Sequence, residues 1–162
     1  MRDPASRTVL KESGHLDRGN EYWKTHLSST QFKVLREKST EPRGVGLKKG
    51  GFDDHFETGT YHCAGCGTPL YHSSMKFDCG CGWPGFWTNI EGAVAETTDS
   101  DGSRTEITCS ACRGHLGHVF RGEAFDNPPP NERHCVNSVS LSFQKEGDQA
   151  RLPCSYNGPV YS

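Results

Sequence analysis

A mainly β domain with short N-terminal helices is the fold that the sequence predicts. Glycine is frequent, at 19 of 162 residues, which suits many turns and short strands. After Thr58, short stretches of strand-forming residues alternate with Gly, Asn, Asp and Pro. Hydrophobic residues make up only 32% of the chain, so the predicted core is thin and an added cross-link would be unsurprising.

The N-terminal part predicts helices between two irregular segments. Residues 1–18 lack a periodic apolar pattern and are interpreted as a flexible arm. The apolar residues of 20–38 predict one or two short helices, and the Ser-Ser-Thr run at 28–30 lies where a cap would end one helix and start another. Residues 40–51 are rich in Gly, Lys and Pro and predict a connecting loop.

The rest of the chain predicts strands. This organisation indicates one catalytic domain over residues 19–146 and a C-terminal tail over residues 147–162. The shorter predicted strands lie at 60–62, 105–108 and 119–120.

The strongest strand pattern lies at residues 136–143. These residues alternate at period two, which places Val139, Leu141 and Phe143 on one face. Residues 126–132 include three consecutive prolines and predict an extended loop just before this strand.

Charge and hydropathy exclude several functional classes. The net charge of -2 gives no reason to expect a nucleic-acid partner. No apolar run approaches the roughly 18 residues of a membrane helix, so we expect a soluble protein. The N-terminus lacks the apolar core of a secretory signal, and Asp3, Glu12 and Asp17 oppose a mitochondrial presequence. We expect a cytoplasmic protein, or a mitochondrial one if a presequence has been trimmed.

Two near-copies of a C-x-x-C turn predict a metal site. Cys63 and Cys66 form one turn, and Cys109 and Cys112 form the other. Four thiolates match tetrahedral structural zinc and leave no coordination position open for catalysis. Two disulfides, or a single redox-active pair, are the alternatives. The paired spacing and the missing secretion signal favour one structural Zn²⁺.

Cys135 has the surroundings of a nucleophile. Arg133 lies two residues before it, so on a strand the guanidinium projects to the same face as the sulfur. The positive charge predicts a pKa for Cys135 below the roughly 8.5 of a free thiol. Asn137 shares that face and can donate a hydrogen bond. A buried, inert cysteine is the alternative.

Two histidines upstream predict a proton donor. His115 and His118 stand three residues apart and precede strand-forming residues. A metal-ligand pair would need further partners, whereas an imidazole titrates near neutral pH and can transfer a proton. Histidines that are merely hydrogen-bonded within a turn are the alternative.

A glycine-rich loop carries two more cysteines and three aromatic residues. The glycines around Cys79 and Cys81 predict a mobile loop, in which a cysteine can reach a partner after chemistry has occurred. Trp83, Phe86 and Trp87 offer aromatic faces for a small apolar group such as a methyl, and Trp83 and Phe86 are the predicted substrate contacts. Ordinary core packing is the alternative for each ring.

Four blocks of the chain resemble the type B methionine-R-sulfoxide reductases, between about Tyr22 and Phe143. The blocks read YHCAGCGTPLY, KFDCGCGWP, TCSACRGHLGHVF and RHCVNSVSLSF, and they occur in the order of that family. The resemblance implies a mainly β domain of two small antiparallel sheets, with a structural zinc site away from the active site.

The same resemblance implies roles for individual residues. Cys135 would be the nucleophile and Cys81 the resolving thiol, while Trp83 would hold the substrate methyl. His115 and His118 would line the side of the sulfoxide oxygen. The remaining residues of the implied catalytic set are Arg133, Asn137 and Glu123.

The chain departs from the family's pattern at three places. Cys79 stands where the family usually has Ser, which provides a second candidate resolving thiol two residues from Cys81. Gly122 stands where many members have Asp, and the neighbouring Glu123 is expected to take over part of its electrostatic role. The tail, which includes Cys154, lies beyond the matched blocks.

The implied function is a peptide-methionine (R)-S-oxide reductase. Cys135 would attack the sulfoxide sulfur while His118 protonates the oxygen, and the resulting sulfenic acid would form a disulfide with Cys81. The expected partners are methionine-R-sulfoxide in oxidised proteins and a thioredoxin-like reductant, and the expected state is a monomer. A non-enzymatic zinc-binding module is one alternative, although it does not explain Arg133, Cys135 and the Cys-Gly-Cys loop together. A zinc hydrolase or deaminase is another, but neither knuckle follows the proline of that signature.

Overall fold

A computed structural model describes residues 18–48 and 51–147, in which two helices precede two antiparallel sheets. The interpretation of an N-terminal arm and of a C-terminal tail, with Cys154, concerns residues that lie almost wholly outside these ranges. The helices are α1 (Asn20–His26) and α2 (Ser29–Glu37), and 3₁₀ turns lie at Val45–Leu47, Ser73–Met75 and Ser138–Ser140. The strands are β1 (Gly59–Cys63), β2 (Pro69–His72), β3 (Lys76–Phe77), β4 (Gly85–Phe86), β5 (Val94–Thr98), β6 (Thr105–Cys109), β7 (His115–Phe120), β8 (Arg133–Val136) and β9 (Leu141–Lys145).

The two short helices confirm the prediction for residues 20–38, including the cap between them. The Ser28 hydroxyl accepts a hydrogen bond from the Gln31 amide, and the Gln31 side chain accepts one from the Ser28 amide. This reciprocal pair satisfies two amides at the start of α2 that the helix itself leaves unpaired. Trp23 of α1 and Leu35 of α2 are buried against the sheets and attach both helices to the core.

The sheets are antiparallel throughout, as expected. The smaller sheet has the order β2-β1-β9, and the larger has the order β3-β4-β8-β7-β6-β5. The three shorter predicted strands lie within β1, β6 and β7. In the larger sheet β8 pairs with β4 on one side and with β7 on the other, so its residues face side chains from both neighbours.

The single strand predicted at residues 136–143 is wrong. The chain leaves the larger sheet after β8, makes a 3₁₀ turn and enters the smaller sheet as β9. The buried carboxylate of Glu41 accepts hydrogen bonds from the Ser138 and Val139 amides and so holds the turn. These amides are therefore unavailable to a continuous strand, although polar and apolar residue types alternate in the sequence as they would in a strand.

The core lies between the sheets and the helices and is rich in aromatic rings. Tyr71 of β2 stacks on Phe86 of β4 at a centroid distance of 4.0 Å, and Tyr61 meets the same ring edge-on. Within the residues described, no helix combines the length and apolar character needed to cross a bilayer.

Candidate active site and metal cluster

Cys135 lies on β8 at the centre of the larger sheet. It stands opposite Gly85 of β4 and His118 of β7, and its side chain is partly exposed. The β7 backbone approaches closely at Gly117, where an added Cβ would collide with the Cys135 carbonyl oxygen. The rigid ladder therefore fixes the position of a sulfur that solvent can still reach.

Cys81 and Cys79 approach Cys135 from the loop before β4. The Cys81 sulfur lies 3.3 Å from the Cys135 sulfur and 2.7 Å from the Cys79 sulfur. Gly80 adopts a φ of 71°, a left-handed conformation that favours glycine and turns the chain between the two cysteines. The structure thus brings together the predicted nucleophile and both candidate resolving thiols.

The three sulfurs influence each other's protonation. Hydrogen bonds from Cys135 and Cys79 lower the pKa of Cys81, and the Arg133 charge acts in the same direction. The hydrogen bond to Cys81 and burial raise the pKa of Cys135, and they outweigh Arg133. The expected lowering of the pKa of Cys135 is therefore wrong for this reduced arrangement, because the nearest negative charge is another sulfur.

Arg133 and Glu123 form a bidentate ion pair beside these sulfurs. Arg133 Nε and Nη2 donate to the two Glu123 carboxylate oxygens at 2.6 and 2.9 Å, and the guanidinium lies over the Phe120 ring. The hydrogen bonds from Arg133 lower the pKa of Glu123, so the carboxylate is charged. Two residues of the implied catalytic set are thus adjacent, and Glu123 orients the guanidinium.

His118 lies across the ladder from Cys135 and is held by an acid. Its Nε2 lies 3.3 Å from Oδ2 of Asp99. Burial lowers the pKa of His118 and the charge of Arg104 lowers it further, while Asp99 opposes both effects. At neutral pH the imidazole is therefore mainly neutral, and its protonation depends on the surrounding charges.

His115 is buried next to His118, at a ring-centroid distance of 5.6 Å. Its Nδ1 lies 2.7 Å from Oε2 of the buried Glu106, and Lys38 lies 3.1 Å from the other oxygen of Glu106. Burial raises the pKa of Glu106, but the hydrogen bonds to His115 and Lys38 outweigh it and lower the pKa overall. In the part of the chain that the structure describes, the buried Nε2 of His115 has no hydrogen-bond partner and is free to donate or accept.

Asn137 does not donate to the Cys135 sulfur. Its amide nitrogen donates to the Leu116 carbonyl, and its oxygen accepts from the Glu41 amide, both at 2.9 Å. It is buried and joins β7 to the segment before the first 3₁₀ turn. Because Trp83 Nε1 donates to the Glu41 carbonyl, the same segment also orients the indole. Asn137 is thus placed to position its neighbours.

The two predicted substrate contacts occupy different environments. Trp83 is partly exposed beside the sulfurs, where a ligand can reach its ring. Phe86 is fully buried and stacks on Tyr71. Core packing, the alternative to substrate contact, is therefore what the structure shows for this ring. A ring without exposed surface cannot touch a substrate, so the predicted substrate contact is wrong and Phe86 is a core residue.

Replacing Phe86 with alanine should therefore lower stability by about 3–5 kcal/mol, because it leaves a cavity in the core. The free energy of unfolding in denaturant measures this loss. Trp87→Ala in the same segment is the matched control, and its partly exposed ring should cost less. A stable Phe86→Ala protein with a raised KM would contradict a core role for Phe86.

The acids beside the two histidines were not predicted. Asp99 and Glu106 stand 19 and 9 residues from the histidines that they contact. Both meet their partners only because β5, β6 and β7 are neighbours in the sheet. Period-two alternation in β6 places Glu106 on the face opposite Ile107 and Cys109, so no local signal marks its side chain as buried.

The four cysteines of the paired knuckles meet in one buried cluster. Cys63, Cys66, Cys109 and Cys112 each present a sulfur, and these atoms lie within 4.8 Å of one another. Two of the sulfur–sulfur distances are 3.6 and 3.7 Å. Sulfurs around tetrahedral zinc stand about 3.8 Å apart, given Zn–S bonds of about 2.3 Å. The cluster can therefore hold a metal ion of this kind.

The crowding of these sulfurs also favours a cation. Hydrogen bonds with Cys109 raise the pKa of Cys66 and of Cys112, while hydrogen bonds from Cys112 and its neighbours lower the pKa of Cys109. Without a cation, one thiolate in this buried space opposes the ionisation of the others. A divalent ion would remove that repulsion.

Comparison with known proteins identifies a matching domain family and several related proteins. The SelR domain matches residues 27–145. The chain is 57% identical over 123 residues to peptide methionine sulfoxide reductase B5 of Arabidopsis thaliana, covering 76% of this chain and 85% of that protein. It is 51% identical over 147 residues to the Arabidopsis thaliana B9 protein, covering 90% and 99%. It is 53% identical over 139 residues to the chloroplastic B3 protein of Oryza sativa subsp. japonica, covering 86% of this chain and 58% of that protein.

The domain match includes the second helix and all nine strands, and with them the three sulfurs of the candidate active site and the four-cysteine cluster. The protein therefore belongs to the SelR-domain family of type B peptide methionine sulfoxide reductases.

Proposed function

We propose that the protein reduces methionine-R-sulfoxide in oxidised proteins to methionine, with Cys135 as the nucleophile. The observation that carries this proposal is the 3.3 Å contact between the partly exposed sulfurs of Cys135 and Cys81. A thiol that becomes a sulfenic acid at this position has a second thiol within reach, so it can be resolved to a disulfide.

Cys135 must lose its proton to attack. The nearest acceptor is the Cys81 sulfur, which is held as a thiolate and already shares a hydrogen bond with Cys135. Transfer of the proton to Cys81 leaves a Cys135 thiolate, which the Arg133 charge stabilises. The Glu123 carboxylate holds that guanidinium in place.

The sulfoxide oxygen needs a proton as the sulfur is attacked. His118 lies opposite Cys135 on the ladder and is the proposed acid, and the unpaired Nε2 of His115 is the second polar group on that side. Methionine leaves, and Cys135 carries the oxygen as a sulfenic acid. Cys81 then attacks this sulfur, water leaves, and the Cys81–Cys135 disulfide forms.

Selection of one epimer follows from having different groups on two sides of the substrate sulfur. The Trp83 ring would hold the methyl, and the histidines would hold the oxygen. Inverting the sulfur exchanges methyl and oxygen, so both contacts are lost together.

The remaining expectations concern partners and the metal. A thioredoxin-like dithiol protein would reduce the disulfide, since Cys81 is partly exposed. The four buried cysteines would hold one structural Zn²⁺, which supplies folding stability. The monomeric state and the cytoplasmic location stay predictions, and two of the relatives are chloroplastic by name.

Separate R and S epimers of a methionine-sulfoxide peptide test the proposal. With dithiothreitol or thioredoxin as reductant, we expect methionine from the R epimer alone. Methionine from the S epimer alone would overturn the assigned stereochemistry. No methionine from either, in a protein with free Cys135, would overturn the activity.

The charge beside His118 predicts a pH effect. Arg104 lowers the pKa of His118, so Arg104→Gln should raise it and keep the acid protonated to higher pH. The falling alkaline limb of kcat/KM should move upward by up to about one pH unit. Arg121→Gln is the matched control, because Arg121 pairs with Glu96 and Glu132 rather than with the site. An unmoved limb in Arg104→Gln would argue against His118 as the acid.

A further inference from the structure

Three sulfurs meet at the candidate active site, and the proposed reaction uses two of them. Cys81 lies 2.7 Å from Cys79 and 3.3 Å from Cys135, so its sulfur is the common neighbour of the other two. Both contacts are shorter than the sulfur–sulfur contacts of 3.6 and 3.7 Å in the metal cluster. Cys79 therefore contacts the Cys81 sulfur, which becomes part of the proposed Cys81–Cys135 disulfide.

Thiol–disulfide exchange requires this order of atoms. An attacking thiolate bonds to one sulfur of a disulfide and expels the other, so the attacked sulfur must lie between them. With Cys81 bonded to Cys135, Cys79 is the neighbouring thiol on the attacked atom. The left-handed conformation of Gly80 keeps the two loop side chains together.

We infer that Cys79 is a second resolving residue, which attacks the Cys81 sulfur of the Cys81–Cys135 disulfide and releases Cys135 by thiol–disulfide exchange. The inference rests on the proposed reduction of methionine sulfoxide. The Cys81–Cys135 bond breaks and a Cys79–Cys81 bond forms. Cys79 gives up its proton and Cys135 regains one, so the step is neutral in protons and electrons. After the exchange, the Cys79–Cys81 disulfide of the loop is the oxidised group, and Cys135 is a free thiol again.

The surroundings of Cys135 and of the loop favour this transfer. The Arg133 guanidinium stabilises the departing Cys135 thiolate, and a better leaving thiolate speeds exchange. A Cys79–Cys81 disulfide would lie beside the exposed Gly80, where a reductant can reach it. Access to the disulfide speeds its reduction, so the reductant would meet the oxidised loop rather than the nucleophile.

Turnover without reductant distinguishes exchange from a simple two-cysteine cycle. The first sulfoxide ends in a Cys81–Cys135 disulfide, and exchange then frees Cys135 to reduce a second one. Excess R-sulfoxide peptide traps the freed Cys135, so two methionines per chain are expected. Cys79→Ser should form one. Both proteins carry Cys154→Ser, so that this residue outside the described ranges supplies no thiol.

Peptide mapping identifies the disulfide itself. After one equivalent of R-sulfoxide, alkylation with N-ethylmaleimide should label Cys135 and leave Cys79 linked to Cys81. One methionine from both proteins, or a labelled Cys79 beside an intact Cys81–Cys135 disulfide, would overturn the exchange. No methionine from either protein would overturn the proposed function and the exchange with it.

Discussion

Replacing Cys135 with serine is expected to abolish the formation of methionine from methionine-R-sulfoxide. A hydroxyl is a far weaker nucleophile than a thiolate, and it cannot take the oxygen as a sulfenic acid. The loss should be at least about 10³-fold, because only binding and positioning remain once the nucleophile is gone. Methionine released in a single turnover, with enzyme in excess over an R-sulfoxide peptide, measures the chemical step directly.

Cys81→Ser is the matched variant for this measurement. It lies 3.3 Å from the same sulfur, but its proposed role begins after methionine has left. The first turnover should persist, although more slowly if Cys81 accepts the Cys135 proton, and thioredoxin-dependent cycling should fall sharply. Methionine formation in Cys135→Ser at the rate of the unchanged protein would refute the nucleophile, whatever Cys81→Ser does.

The two helices were predicted correctly because the residues that define their ends lie close together in the sequence. The cap between α1 and α2 rests on Ser28 and Gln31, three residues apart, and such contacts can be read from sequence. The strand at residues 136–143 failed for the opposite reason. Its interruption depends on hydrogen bonds to Glu41, almost one hundred residues earlier in the chain. The periodicity of residues 136–143 gives no indication of that contact.

In the candidate site, too, the features that depend on local spacing were predicted and those that depend on the fold were missed. The four-cysteine cluster was predicted because two identical spacings supply a complete candidate ligand set, and the structure brings all four sulfurs together. The acids that hold His115 and His118 were missed, because their pairing is a property of the β5-β6-β7 sheet order. The same limit explains the pKa of Cys135: its neighbour Arg133 is visible in the sequence, whereas contact with the Cys81 sulfur is not.

Loss of one metal ligand should unfold the domain. Structural zinc contributes about 10–16 kcal/mol to folding in small peptides, whereas a whole domain is stable by only about 5–15 kcal/mol. Cys109 joins β6 to the second knuckle, and the cluster connects it to the first knuckle more than 40 residues earlier. Cys109→Ser removes a thiolate that oxygen replaces poorly, so both the metal and the long-range link are lost.

We expect Cys109→Ser to show little bound zinc and no cooperative thermal transition above 25 °C, as measured by elemental analysis and near-UV circular dichroism. Ser110→Ala in the same knuckle is the control. Its hydroxyl donates to the Gly92 carbonyl rather than to the cluster, so its loss should cost about 1 kcal/mol and leave the zinc in place. Because both variants alter the same turn, a difference between them isolates metal binding from local packing. A Cys109→Ser protein that melts like the unchanged one would show that the core alone holds the two sheets together.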